Sequence, residues 1–212
     1  MKKTLLLALF SFLSICCSVA QTEQQKKTVE SLKDKYQLDD DYGYSYTRVL
    51  ENLNETKEGL HAKALAFFPY LVKGTYDARE IIQHENASEG VIVAKLAWND
   101  LASHSNMAHV YNVSATPIFR IDIKDNRLRF IISIKKLTVY HYNASGIFVK
   151  ESFDEIPSTE LPPFKPDKKK KVNNMYYSAF IKAYNTAFLT FEQFEKSIRE
   201  GNTIEKESKD DW

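Results

Sequence analysis

Cysteine is almost missing from this chain: Cys16 and Cys17 are the only two in 212 residues, and both lie near the amino terminus. If that terminus is removed on export, neither a disulfide framework nor a thiol nucleophile remains, so an ordinary apolar core must hold the fold. Glycine and proline are also sparse, at six each, and four of the prolines (Pro157, Pro162, Pro163, Pro166) sit in one stretch. Elsewhere the chain has little to interrupt regular structure. No large excess of one charge exists, which gives no case for a nucleic-acid partner. GxSxG, P-loop and HExxH motifs are absent too, so no motif specifies an activity.

What is present begins with MKKTLLLALFSFLSICCSVAQ. Lys2 and Lys3 precede an apolar run from Leu5 to about Ile15, followed by small residues at Ser18 and Ala20. This is the pattern of a secretory signal peptide over 1–20, with cleavage between Ala20 and Gln21. A transmembrane anchor is the alternative, but the run is shorter than the roughly 18 residues a span needs. A lipid anchor at Cys16 or Cys17 is the other, but Ile15 and Cys16 stand where a lipoprotein peptidase prefers a small residue. The expected product is periplasmic or secreted and has no transmembrane span. Loss of Lys2 and Lys3 leaves 27 basic against 28 acidic side chains, net −1.

Residues 21–41 are polar, with Val29, Leu32 and Tyr36 at spacings of three and four, and read as a leader. A single domain is expected over 42–200, with a charged tail at 201–212. YSYTRVLE (Tyr44 to Glu51) reads as a strand, and a helix follows from near Thr56 with Leu60, Ala64, Phe67, Phe68 and Leu71 on one face. Pro69 would kink or end it. Arg79 to His84 and Val91 to Trp98 read as strands, and Asn99 to Ala115 as a polar loop.

Thr116 to Tyr142 carries the clearest pattern. Phe119, Ile121 and Ile123 alternate with Arg120, Asp122 and Lys124; Leu128, Phe130, Ile132 and Ile134 alternate with Arg127, Arg129, Ser133 and Lys135. A two-residue turn at Asp125 and Asn126 puts Ile123 opposite Leu128, Ile121 opposite Phe130, Phe119 opposite Ile132 and Asp122 opposite Arg129. A one-residue slip would send the apolar set into water. Near the end, Tyr177, Ile181, Tyr184, Phe188, Phe191, Phe194 and Ile198 recur at steps of three and four, making an aromatic stripe on a helix over about 173–199. The run Lys168 to Lys171 ahead of it opposes the positive end of the helix dipole and reads as extended. The sum is an α+β domain of two layers, an antiparallel sheet of about five strands (β-α-β-β-β-β-α) with both helices on one face.

From Tyr44 to about Leu137 the chain resembles the domain of unknown function 4468 family, exported Bacteroidetes proteins with a TBP-like fold. The blocks YSYTRVLEN, KEGLHAKALAFF, REIIQHENASEGVIVAKL and FRIDIKDNRLRFIISI carry the likeness. Ala94 departs from it, standing where the pattern has glycine. The resemblance implies a sheet-and-helix domain and a cell-envelope setting. It implies no activity, cofactor or DNA binding, since fold does not fix function.

Each candidate site has a plainer reading. His104 and His109 are five apart, not the i, i+4 pair a helix offers zinc, and read as solvated. His141 lies between Tyr140 and Tyr142 and reads as packed rather than as a general base. The acidic pairs at Asp39 to Asp41, Asp154 with Glu155, and Asp210 with Asp211 lie in polar segments that raise no pKa. Lys165 and Lys168 to Lys171 suit an anionic headgroup or polysaccharide but read as a solvated linker. The sequons beginning at Asn54, Asn86, Asn112 and Asn143 matter only in a host that glycosylates them. No catalytic, cofactor-binding or metal-ligating residue is therefore assigned. Tyr177, Ile181, Tyr184, Phe188 and Phe191 line a possible apolar groove between sheet and helix, although such stripes are usually core. The expectation is a non-catalytic envelope protein that binds or scaffolds an unidentified envelope partner; the alternative is a carrier of a small apolar ligand or lipid in that groove.

Overall fold

The computed structural model describes residues 23–39, 43–71, 78–155 and 170–201. The signal segment, the proline-rich stretch with Lys165, Lys168 and Lys169, and the pair Asp210 and Asp211 lie outside them. Among the described residues, no helix is long and apolar enough to cross a membrane.

The chain is α+β, with antiparallel strand pairs throughout. Helix α1 covers residues 23–31 and is followed by β1 (Gln37–Asp39) and β2 (Gly43–Leu50). Helix α2 (Lys57–Leu71), a single turn α3 (Ala78–Ile81), β3 (Ile82–Asn86) and β4 (Val91–Lys95) come next. Then six strands run in succession: β5 (Trp98–Ser105), β6 (His109–Ala115), β7 (Ile118–Lys124), β8 (Arg127–Ile134), β9 (Lys136–Asn143) and β10 (Phe148–Glu155). Helix α4 (Lys170–Glu200) closes the fold.

The strands form two sheets rather than the single sheet of about five strands expected: one in the order β1-β2-β8-β7-β4-β3, the other β10-β9-β6-β5. Three joints between them are only one or two residues long: Leu96 and Ala97, Thr116 and Pro117, and Lys135. Three long ribbons thus bend from one sheet into the next, and the bent surface holds α4. This corrects the reading of Asn99 to Ala115 as a loop. Its polar residues alternate with Ala102, Val113 and Ala115, which face inward, while Ser103 and Asn112 face the other way. A strand wet on one face carries polar side chains without being a loop.

The hairpin of β7 and β8 has the register its pattern predicts, with Ile123 opposite Leu128, Ile121 opposite Phe130, Phe119 opposite Ile132 and Asp122 opposite Arg129. Its turn does more than reverse the chain. Asn126 takes a positive φ of 64°, its Oδ1 accepts from Asn54 N, and Asp125 Oδ1 accepts from Lys57 N at the start of α2. Glycine at position 126, the favoured turn residue, would give up the bond to Asn54 N, and Asp125 pairs an N–H that the helix start leaves without an intrahelical partner. Thr56 caps the same helix by accepting from Gly59 N. Asp125→Ala is expected to lower stability by about 1 kcal/mol, read from a chemical denaturation midpoint.

Two further expectations are corrected. Residues 23–39 are not a detached leader: Val29 and Tyr36 are buried, and β1 extends the first sheet. Lys170 and Lys171 are helical, the start of α4; lysine is a good helix former, and the helix behind it offers continuation at little cost.

Along α4 the buried line is Ala179, Phe180, Ala183, Ala187, Thr190, Phe191, Phe194 and Ile198. Three alanines four apart present almost no side chain, so the helix lies close in the bend. Ala183→Leu should overpack this contact and cost about 1–3 kcal/mol, measured by urea denaturation.

Candidate functional site

The groove begins with the charge in the covered face of the first sheet. On β2, alternation puts Tyr44, Tyr46, Arg48 and Leu50 on one side, where they pair with Ile134, Ile132, Phe130 and Leu128 of β8. A guanidinium therefore stands in an otherwise apolar row. It is held at the rim: Arg48 Nη2 donates to Glu192 Oε1 at 3.0 Å and Nη1 to Glu195 Oε2 at 3.1 Å. The rings of Phe188 and Phe191 flank it, with the guanidinium carbon 5.7 and 5.6 Å from their centroids. Bidentate pairing and stacking are both properties of arginine rather than lysine. Arg48 thus ties β2 to α4 and holds Phe188 upright.

Glu195 also accepts from Arg199 Nε at 2.8 Å. That hydrogen bond, against an opposing desolvation and helped by the charges of Arg199 and Arg48, holds the Glu195 carboxyl below its usual range. A carboxyl lowered in the folded state stabilises above its unfolded pKa, and the contribution disappears as pH falls through the folded value. Glu195→Gln should therefore reduce stability at pH 7 and matter progressively less as pH falls below the ordinary carboxylate range, checked by denaturation across that range.

Beside Arg48 a shallow groove of about 220 Å³ opens between β2 and α4, lined by Lys35, Tyr46, Thr47, Arg48, Tyr184, Ala187, Phe188 and Phe191. Tyr184 meets Tyr46 edge-on at 5.7 Å and stacks with Phe188 at 6.5 Å. Phe188 is 45% exposed, a large cost for an aromatic ring at the surface. The Tyr46 hydroxyl is buried without a hydrogen bond of ordinary length, with the Tyr44 hydroxyl its near neighbour. Burial pushes both hydroxyls far above the usual tyrosine range, and that of Tyr36 to about 12. A group raised in this way stabilises below its unfolded pKa and loses the contribution as pH rises through the folded value. Absorbance titration should find these three silent until the protein unfolds in alkali.

Tyr184, Phe188 and Phe191 thus meet at the groove, whereas Tyr177 and Ile181 do not line it. Tyr177 is buried where α1 crosses α4, close to Glu23, Lys26 and Glu30, and Gln25 Nε2 donates to Ser178 Oγ beside it. Ile181 is half-buried against the core. A second hollow of about 270 Å³ lies on the opposite face of the first sheet, among Val49, Asp122, Lys124, Arg127, Leu128 and Arg129. Its lining combines Val49 and Leu128 with four charged side chains, Asp122 being bound by Arg120 and Arg129, and it has no aromatic ring.

Sequence reasoning missed Arg48, Lys35 and Thr47 as groove residues. The signal was there: Arg48 shares the strand parity of Tyr44, Tyr46 and Leu50, and so faces the core side. The three candidate histidines are on the second sheet, His104 on β5, His109 on β6 and His141 on β9. Asp39 ends β1, and Asp154 with Glu155 ends β10. Among the described residues, no group of three or more histidine, cysteine, aspartate and glutamate side chains is disposed to hold a metal ion.

No protein-family model and no curated protein matches the sequence. Among solved structures, the chain is similar to a DUF4468 family protein from Bacteroides ovatus, with a TM-score of 0.49 and 10% identity over 74% of this chain and 87% of that one. It is also similar to a TBP-like protein from Parabacteroides distasonis, with a TM-score of 0.47 and 13% identity over 71% of this chain and 92% of that one. These are the family and fold names that the blocks from Tyr44 to Leu137 resemble.

Proposed function

We propose that the protein is exported to the cell envelope and acts there as a non-catalytic binding module, with the groove between β2 and α4 as its binding surface. The observation that carries this reading is Phe188, an aromatic ring held out of the core by Arg48 on one side and Tyr184 on the other. Holding a large apolar side chain in water costs free energy that a bound apolar group would recover. At about 220 Å³ the groove is below the roughly 300–1,000 Å³ of pockets that enclose a small molecule. Its size suits an aromatic or branched apolar side chain presented by an envelope partner better than a whole lipid. The signal-like amino terminus and near-neutral charge support the setting.

Native mass spectrometry of the protein purified from its own envelope, followed by solvent extraction, separates the two kinds of occupant. A co-purifying chain that dissociates when Phe188 is alanine supports the binding module. A small apolar mass released on denaturation supports the ligand carrier instead, and an unaccompanied monomer counts against both. Phe188→Ala should lower stability by no more than about 1 kcal/mol, so loss of the partner would not reflect unfolding.

A further inference from the structure

The second sheet carries a constellation that the groove does not use. Its inward face is built in cross-strand rows: Trp98, Ala115 and Leu137 make one, and Ala102, Val113 and Val139 the next, all buried. One step further along, at the open end of the sheet, the row changes chemistry to His104, Tyr111 and His141, with His109 two residues from Tyr111 on the same face. The apolar pattern of three strands thus ends together in imidazoles and a phenol.

The geometry there is specific. The Nε2 of His141 lies 2.9 Å from the Nδ1 of His109. The Tyr111 ring stacks on His141 at 4.6 Å with the planes 8° apart, and His104 stacks on the other side of the row at 6.4 Å. Stacking fixes the plane of His141, and with it the direction of Nε2. Both histidines are half-buried, so the pair is accessible from solvent while its rings are held.

From this arrangement we propose that His109 and His141 form a two-histidine binding site for a divalent late transition-metal ion of the Cu²⁺ or Zn²⁺ kind, with solvent completing the coordination. Two nitrogens each about 2.0–2.1 Å from one ion are about 2.9 Å apart at a right angle and about 3.4 Å apart at a tetrahedral angle. The 2.9 Å between them is the length of the hydrogen bond that joins the rings without metal, and it leaves both nitrogens within a few tenths of an ångström of a spacing that one ion can span. Without metal, one ring donates its N–H to the other. On binding, that ring takes its other tautomer, so that His141 offers Nε2 and His109 offers Nδ1 while each keeps one N–H and no net proton is released. Tyr111 is a positioning residue, acting through the plane of His141. His104, across the tyrosine ring, is not a ligand.

The test uses Cu²⁺ alone as probe, added to the full chain and followed by calorimetry and electron paramagnetic resonance. One equivalent should bind with hyperfine structure from two nitrogens. Loss of a ligand should weaken binding at least as much as loss of an outer-shell partner does, about tenfold, so His109→Gln and His141→Gln should each do so while His104→Gln changes affinity less than about twofold. Tyr111→Leu should weaken binding while keeping the two-nitrogen signature. Should either ligand variant fail to fold, paramagnetic broadening in the wild-type protein decides: it should centre on His109, His141 and Tyr111. No binding, binding that survives in the double variant, equal loss from His104→Gln, or broadening centred elsewhere would each overturn the assignment.

Discussion

Phe194→Ala is expected to destabilise the protein by about 3–5 kcal/mol, which lowers the melting temperature by about 6–20 °C in a domain of this size. Phe194 is fully buried and meets Phe130 of β8 at 4.6 Å and Phe67 of α2 at 5.0 Å, so it joins both helices to the first sheet. The cavity would be walled by Phe130, itself packed on Phe119 and Phe191, and by strands whose ladders prevent collapse. The comparison with Phe188→Ala, six residues away on the same helix, makes this informative. The sequence places both rings in one stripe, and the structure separates them into a core residue and an exposed one. Thermal denaturation should show a large shift for the first and a small one for the second. Equal shifts would contradict this division of α4.

Arg48→Ala should have the next largest effect, about 1–3 kcal/mol, from the loss of two charge-assisted hydrogen bonds and two ring contacts. The figure is held down because Glu192 and Glu195 keep partial access to water and are not left as buried unpaired charges. Arg48→Lys should recover little, since an ammonium cannot span both carboxylates and lie flat between two rings. With Arg48 absent, Phe188 loses its support, so binding at the groove should weaken more than stability does. A lysine variant with wild-type stability and binding would remove the role given to this arginine.

The β7–β8 hairpin was legible because both faces agree on one register and a slip costs the whole apolar set. The second sheet was not, because its strands β5 and β6 are rich in histidine, asparagine and serine and show no long apolar alternation. The same composition describes loops, and only pairing with β9 decides. The short joints at Leu96, Thr116 and Lys135 offered no glycine pair or long polar break to announce a change of sheet. On α4, steps of three and four drew attention to large rings. At 100° per residue, Ile181 and Phe188 fall more than about 100° from the centre of the face that holds Ala183, Ala187 and Phe194. Small residues that let a helix approach leave a weaker mark in a sequence than the aromatics beside them. For the groove, the stripe indicated the right helix and the boundary with the sheet. It could not supply Arg48, whose importance depends on Glu192 and Glu195 coming from 144 and 147 residues further on.

The central claim is that the β2–α4 groove, rather than the opposite sheet face, binds the partner. Photo-crosslinking in the source envelope tests it most directly, with a photoreactive phenylalanine analogue replacing either Phe188 or Val49. Both positions are about half exposed, at 45% and 50%, and they lie on opposite faces of the first sheet. The account predicts one defined adduct from position 188, abolished by Arg48→Ala, and none from position 49. Equal labelling from both positions, or labelling from 49 alone, would contradict it.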